Sequence, residues 1–284
     1  METDWRWHLI QFKFQEYRIV KTFELFRKYN IEPILIKGWA AARNYPFKEE
    51  RVFTDTDICV APTDFIKAGE ILEAHREEKL LVDLHDGFRH LDTLEWSDLF
   101  ANTELIDLDG TDVRILRAED HLRILCVHWL NDGGAHYERL RDILYAVENR
   151  PHDFDWKRCL DTISDKRRKW VVCAIGLAHK YLGLALEDTP IAEEAKAIPR
   201  WVIETIEKEW ADKYRLKPLR DSLSDRREFF RQLKKRFPPN AIQATIETGG
   251  AIDDTPRIFY QLGDIFIRTK PALKNLYKAI FRFK

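Results

Sequence analysis

The stretch that decides the fold is ILIKGW at residues 34–39, followed by TDTDICV at residues 54–60. An apolar run ends at Gly38, a short Ala-rich segment follows, and the chain returns as a second strand that carries two carboxylates. Side chains at positions i and i+2 of a strand share one face and lie roughly 6.6–6.8 Å apart along it. We therefore predict that Asp55 and Asp57 point together at one metal centre.

The composition is that of a globular protein without a strong net charge. The 284 residues are 45% hydrophobic and 33% charged, and the formal net charge is −1. This balance makes a long nucleic acid a less favoured partner. The cysteines form no CxxC pair, which indicates buried thiols in a reducing compartment rather than a zinc site or a disulfide framework, and they are Cys59, Cys126, Cys159 and Cys173.

Neither a signal peptide nor a membrane span is predicted. The first residues, METDW, lack a basic region followed by an uncharged apolar core. The chain has no apolar run of about 18 residues, the length that a transmembrane helix requires. We therefore expect a cytoplasmic protein.

The chain divides into a strand-rich half and a helical half. The spacing of apolar residues predicts an amphipathic helix over residues 5–30, and then strands and a hairpin at residues 34–36, 54–60, 80–85, 105–108 and 111–116. From residue 118 the periodicity is helical, over residues 119–131, 136–149, 153–164, 167–184, 190–211 and 222–236. We predict an α+β protein in which a mixed sheet with flanking helices (residues 1–117) precedes an all-helical domain (residues 118–284).

The carboxyl-terminal segment, residues 268–284, is basic and has the spacing of an amphipathic helix. It contains six Lys or Arg residues and no acidic residue. Two interpretations remain open: contact with an anionic partner, such as a membrane or nucleic acid, and docking of the helix on the core.

A metal-dependent transfer of a phosphoryl or nucleotidyl group needs more acidic ligands than Asp55 and Asp57 supply. A third carboxylate is expected on a neighbouring strand, and Asp83 in the segment VDLH (residues 82–85) is the candidate, with Asp86 as a competitor. The turn at Gly38 could present backbone N–H groups to phosphate oxygens.

These motifs, in this order, resemble the DNA polymerase β-like nucleotidyltransferase superfamily, and most closely its bacterial branch of uncharacterised nucleotidyltransferases. The resemblance covers roughly residues 10–190 and depends on the following segments: IKG (36–38), YP (45–46), Arg51, DTD (55–57), DLH (83–85), EDHL (119–122), LCVH (125–128) and RLRD (139–142). In place of the Gly-Ser or Gly-Gly turn of that superfamily, this chain has Gly38-Trp39, which removes a serine hydroxyl from the phosphate contacts.

The resemblance implies transfer of a nucleoside monophosphate from an NTP, with ATP expected, to a hydroxyl or similar acceptor, with release of pyrophosphate. Asp55, Asp57 and Asp83 would hold two Mg²⁺ or Mn²⁺ ions, and Asp83 would also accept the acceptor's proton. The triphosphate would be held by Lys37, Gly38, Trp39 and Arg51. The acceptor would be a small molecule, a peptide or a protein, contacted by the helical domain.

Several candidate residues also have structural interpretations. Lys37 could be a solvated charge at a strand end, and Arg51 could pair with a carboxylate instead of phosphate. His85 could lie behind the metal ligands or be an ordinary strand histidine. His121 and His128 lie about 10.5 Å apart along a helix, too far for one ion, which favours core or interface positions.

The same alternatives apply to Arg139, Arg141 and Asp142, which could reach the cleft or form a salt-bridged helix surface. The pair Gly133-Gly134 lacks a following Lys-Ser or Lys-Thr, which excludes a P-loop. Two competing functions remain: a nucleotide-binding or partner-binding module without turnover, and a phosphohydrolase that uses Asp55, Asp57, Asp83 and His85.

Overall fold

The computed structural model describes residues 2–87, 94–212, 214, 217, 222 and 225–281, with side chains from residue 6 to residue 269. The strands are β1 Ile34–Leu35, β2 Thr56–Val60, β3 Val82–Asp86, β4 Thr103–Leu108 and β5 Thr111–Leu116. They form one mixed sheet in the order β3-β2-β1-β5-β4. β2 runs parallel to β3 and antiparallel to β1, so the residues that begin β2 and β3 lie at the edge where β1 ends.

The helices of the first half flank this sheet: α1 Glu2–Lys28, α2 Trp39–Ala42, α3 Phe65–Ala74 and α4 Trp96–Ala101. The second half is helical in its described residues: α5 Ala118–Asn131, α6 Leu140–Glu148, α7 Trp156–Asp161, α8 Asp165–Leu182, α9 Ala192–Lys196, α10 Arg200–Ala211, α11 Arg226–Arg236, α12 Ala241–Glu247 and α13 Arg257–Phe281. The predicted α+β fold class is confirmed.

The predicted hairpin is present in the structure, whereas one predicted helix is divided in two. The hairpin of β4 and β5 turns at Asp109 and Gly110, which have φ angles of 51° and 81°, as a two-residue turn of the primed type requires. The helix predicted over residues 190–211 is divided into α9 and α10, because Pro199 cannot continue the hydrogen-bond ladder of α9. The sequence reading missed α4 and α12.

The main hydrophobic core joins the two halves of the chain. Ile34, Ile36 and Leu116 from the sheet region belong to the same buried cluster as α5, α6 and α8. A second cluster lies between α1, α3 and the sheet. All four cysteines are buried thiols, as predicted. The domain boundary near residue 117 stays a prediction.

None of the helices in the described part of the chain combines the length and the apolar composition needed to cross a bilayer. Helix α13 begins well before the predicted tail and continues through it to Phe281. The side chains of residues 270–284, on which the predicted apolar face of that tail depends, lie outside the described residues.

Candidate active site

Parallel pairing of β2 with β3 brings together residues that are far apart in the sequence. Asp57 is the register partner of Asp83, and Cys59 is the register partner of His85. Because side chains alternate along a strand, Asp57, Asp83 and His85 all project from one face. Each offers a ligand atom, and these atoms lie within 4.8 Å of one another. Among the described residues, this group could hold a metal ion.

The donor set fits a divalent cation. Carboxylate oxygens are the ligands that Mg²⁺ and Mn²⁺ prefer, and the imidazole of His85 adds a nitrogen donor more usual for transition metals. His85 Nε2 lies 3.2 Å from Asp57 Oδ1 and 3.3 Å from Asp83 Oδ2, so it already bridges the two carboxylates. The Asp57 side chain is 10% exposed and that of Asp83 is 54% exposed, so the group opens to solvent on the β3 side.

Asp57 has a strong cationic partner within the chain. Lys37, two residues after β1, places its Nζ 2.6 Å from Asp57 Oδ1, and both side chains are nearly buried. Burial alone would raise the pKa of the Asp57 carboxyl, but hydrogen bonding from His85 and the positive charge of Lys37 outweigh it and hold the pKa below its usual value. Asp57 is therefore an anion at neutral pH.

Asp55 does not join this group in the structure. It lies one residue before β2 and is exposed, so the alternation that predicted a shared face with Asp57 applies only from Thr56 onward. Its role as a metal ligand stays a prediction. Asp86, the competitor of Asp83, lies an odd number of residues from it on β3 and therefore projects from the opposite face.

The turn after β1 has a backbone conformation that favours glycine. Gly38 has φ 54° and ψ −108°, and a Cβ atom there would lie 3.2 Å from the Phe53 ring. The following helix, α2, contains only four residues. Its helix dipole is therefore weak, and any phosphate contact at this turn would depend mainly on individual backbone N–H groups.

The side chain of Trp39 contacts α1. Its indole Nε1 donates a hydrogen bond of 2.9 Å to Oε1 of Glu16, whose side chain is fully buried. Lys13 and Lys48 also contact the Glu16 carboxylate, at 2.6 Å and 3.0 Å. Burial would raise the pKa of Glu16, but these three donors together lower it. Trp39 thus helps to stabilise a buried carboxylate that the sequence analysis did not identify.

Arg51 pairs with Asp142, a carboxylate partner of the kind that the sequence analysis gave as one alternative, and its role at the triphosphate stays a prediction. The Arg51 guanidinium binds both carboxylate oxygens of Asp142, with distances of 2.8–3.2 Å. The Tyr45 hydroxyl donates a further hydrogen bond of 2.6 Å to Asp142 Oδ1. Asp142 lies on α6 and is buried, so this cluster joins the strand-rich half to the helical half.

The helical half contributes His128, whose pKa responds to charges of the strand-rich half. His128, on α5, is affected by the charges of Lys37 and Asp57; burial, and then the positive charge of Lys37, lower its pKa to about 4. His128 Nε2 lies 3.6 Å from Asp132, which also pairs with Arg139 at 3.1 Å. The sequence analysis placed His128 in the core or at an interface. Its segment LCVH (residues 125–128) is one of those that carry the resemblance to the nucleotidyltransferases, and this was the sequence signal for a position near the site.

His121 and Arg141 occupy different environments from His128. His121 is buried, and burial followed by the positive charge of Arg43 lowers its pKa to about 4. Arg141 is exposed on α6. Neither residue belongs to the group formed by Asp57, Asp83 and His85.

Comparison with known proteins assigns the first two thirds of the chain to a family. The family model described as uncharacterised nucleotidyltransferase matches residues 11–183, more than half of the chain. No curated protein matches. Among solved structures, the chain is similar to an antigenic nucleotidyltransferase-like protein from Paracoccidioides brasiliensis, with 11% identity and a TM-score of 0.45, over 64% of this chain and 92% of that one.

Proposed function

This chain belongs to the family of uncharacterised nucleotidyltransferases, and we propose that it transfers a nucleoside monophosphate from an NTP to an acceptor, with release of pyrophosphate. The observation that carries this proposal is the convergence of Asp57, Asp83 and His85 within 4.8 Å on one face of the sheet. ATP is the expected donor. The acceptor is a small molecule, a peptide or a protein.

In the proposed reaction, the acceptor oxygen forms a bond to the α-phosphorus while the bond between that phosphorus and the bridging oxygen of pyrophosphate breaks. Asp83 takes the proton of the acceptor hydroxyl, a role that its solvent-exposed position on β3 supports. Asp57 and Asp83, with His85 or Asp55 beside them, would hold Mg²⁺ or Mn²⁺. Such an ion neutralises triphosphate charge and helps to activate the attacking oxygen.

Lys37 has a double role in this proposal. Its ammonium group neutralises Asp57 across 2.6 Å. A cation held by Asp57 would leave the Lys37 ammonium group available to the triphosphate, together with backbone N–H groups at Gly38 and Trp39. Arg51 is held by Asp142, so its contribution to triphosphate binding would be to position the segment before β2.

The test is transfer of label from an NTP in the presence of Mg²⁺ or Mn²⁺ and a cell extract. Label on the α-phosphorus should appear in the acceptor, and label on the γ-phosphorus should appear in pyrophosphate. Asp57→Asn and Asp83→Asn should each abolish transfer while the fold is retained. Asp112→Asn, at an exposed carboxylate on β5, is the matched control and should remain active. Full activity of the Asp57 variant would refute the proposal.

A second candidate function is a nucleotide-binding or partner-binding module without turnover. The observation that favours it is the turn at Gly38-Trp39, which offers phosphate no serine hydroxyl and whose indole N–H is bound to Glu16. This candidate predicts NTP binding by calorimetry with no release of pyrophosphate under any acceptor condition. Label in free phosphate would indicate a phosphohydrolase instead.

A further inference from the structure

Helix α13 exposes an unusual number of large apolar side chains. Five of them lie within its first three turns and are 42–66% exposed, namely Ile258, Phe259, Leu262, Phe266 and Ile267. Single exposed apolar residues are ordinary on protein surfaces, but a group on one helix indicates a binding surface. Phe259, Leu262 and Phe266 are spaced by three and four residues, so they share one face of the helix.

The described part of α13 carries no exposed acidic side chain. Its one carboxylate, Asp264, is fully buried and pairs with Arg268 at 2.8 Å. From residue 265 to the last residue the sequence contains no Asp or Glu, whereas it contains Arg268, Lys270, Lys274, Lys278, Arg282 and Lys284. The helix therefore combines an exposed apolar face with a purely cationic charge along its carboxyl-terminal part.

Helix α11 is also rich in Lys and Arg and exposes a large apolar side chain. It contains six Lys or Arg residues and one Glu, and Phe230 within it is 65% exposed. Helix α13 contacts the segment that follows α11, because Gln261 donates a hydrogen bond of 2.6 Å to the carbonyl of Pro239. Both helices lie outside the part of the chain that the family model matches.

We propose that α13, assisted by α11, binds the surface of an anionic phospholipid membrane. The charge of this region is complementary to anionic headgroups, and the exposed Phe, Leu and Ile side chains can enter the boundary between headgroups and acyl chains. A nucleic acid would use the cations but gains little from Leu262 and Ile267. A second copy of the chain would bring the same positive charge against itself.

The proposed mode is attachment in the plane of the interface, because no described helix meets the requirements of a membrane span. It goes beyond the proposed nucleotidyl transfer and does not depend on it: the residues involved lie on helices that contribute nothing to the group of Asp57, Asp83 and His85. Membrane binding could therefore fail while transfer is retained, and the reverse.

The experiment is flotation of the full chain with vesicles of phosphatidylcholine alone or of equal parts phosphatidylcholine and phosphatidylglycerol. We expect binding to the anionic vesicles only, weakened by high salt. The double variant Leu262→Gln, Phe266→Gln and the double variant Lys274→Glu, Lys278→Glu should each reduce partitioning by at least about tenfold. The first variant removes apolar contact, and the second removes charge attraction.

The matched control is Ile66→Gln combined with Leu105→Gln, because both residues are more than half exposed on the strand-rich half. This variant should bind vesicles like the unchanged chain. Circular dichroism and thermal unfolding establish that every variant is folded. Equal binding to both vesicle types, or no binding, would overturn the proposal. A dimer in light scattering that the Leu262, Phe266 variant dissociates, or RNA binding without vesicle binding, would overturn it as well.

Discussion

Arg51 and Asp142 lie ninety-one residues apart in the chain, yet their side chains form a bidentate ion pair with an N–O distance of 2.8 Å. Their side chains are 12% and 6% exposed, so the pair is largely removed from water. It connects the segment before β2 with α6, and thus connects the strand that carries Asp57 with the helical half.

Removing the carboxylate of Asp142 leaves Arg51 as an uncompensated charge in a nearly buried position. Asp142→Ala should lower the free energy of unfolding by about 3–5 kcal/mol, as is typical for one partner of a buried pair. Urea denaturation at neutral pH measures this change. The control is Glu204→Gln in the exposed pair with Arg200, which should change stability by less than about 0.5 kcal/mol. A similar small change for both variants would contradict a structural role for the Arg51 pair.

Trp39 donates one hydrogen bond to Glu16 through its indole N–H group. The substitution Trp39→Phe removes this donor and keeps most of the aromatic volume. We expect a loss of about 1–3 kcal/mol in unfolding free energy, because the buried carboxylate loses one of its hydrogen-bond donors. Trp7→Phe, at an exposed tryptophan on the same helix as Glu16, is the control and should be neutral. The KM for NTP should stay unchanged in both; a large rise for the Trp39 variant alone would show that the indole binds the nucleotide.

Lys37 competes with a cation for Asp57. In Lys37→Met the Asp57 carboxylate is left without its ammonium partner, and Mn²⁺ binding in the absence of NTP should strengthen several-fold, as measured by electron paramagnetic resonance of free Mn²⁺. Transfer of nucleotide should weaken in the same variant. Lys196→Met, which changes an exposed ion pair with Glu193, should alter neither property. Unchanged Mn²⁺ affinity in the Lys37 variant would show that this lysine does not compete with a cation for Asp57.

His121 makes stability depend on pH. Burial lowers its pKa to about 4, below the usual value of 6.5, so between these values the unfolded chain binds a proton that the folded chain does not. The contribution of His121 to the free energy of unfolding is therefore fully present above pH 6.5. It is lost as the pH decreases toward 4, and the loss is on the order of 2 kcal/mol at pH 5. Urea denaturation across this range should show a shallower dependence in His121→Gln. His152→Gln, at an exposed histidine, should keep the full slope.

Much of the fold follows from short-range features of the sequence. The hairpin at Asp109-Gly110 was predicted because both positions need positive φ, and the helix starting at residue 118 because its apolar residues repeat with the helical period. The apolar run 34–36 and the following Gly38 likewise predict a strand and a turn. These signals depend on neighbours within a few residues, so they can be recognised without knowledge of the tertiary structure.

Local sequence features predict the candidate site only in part. Asp57, Asp83 and His85 are all candidates from the sequence, and the parallel register of β2 and β3 brings them together. The same register left Asp55 one residue outside the strand. A shift of one residue in strand pairing would have turned the opposite set of side chains to this face, and no local pattern specifies that choice.

By itself, then, the sequence predicted the five strands, most of the helices, the family, and Asp57, Asp83 and His85 as candidate residues. Only the tertiary structure decided the partners: Lys37 with Asp57, Trp39 with Glu16, and Arg51 with Asp142. The physical reason is that periodicity and turn chemistry are properties of neighbouring residues, whereas a buried charge takes its partner from whatever cation or donor the packing of layers brings within hydrogen-bond distance.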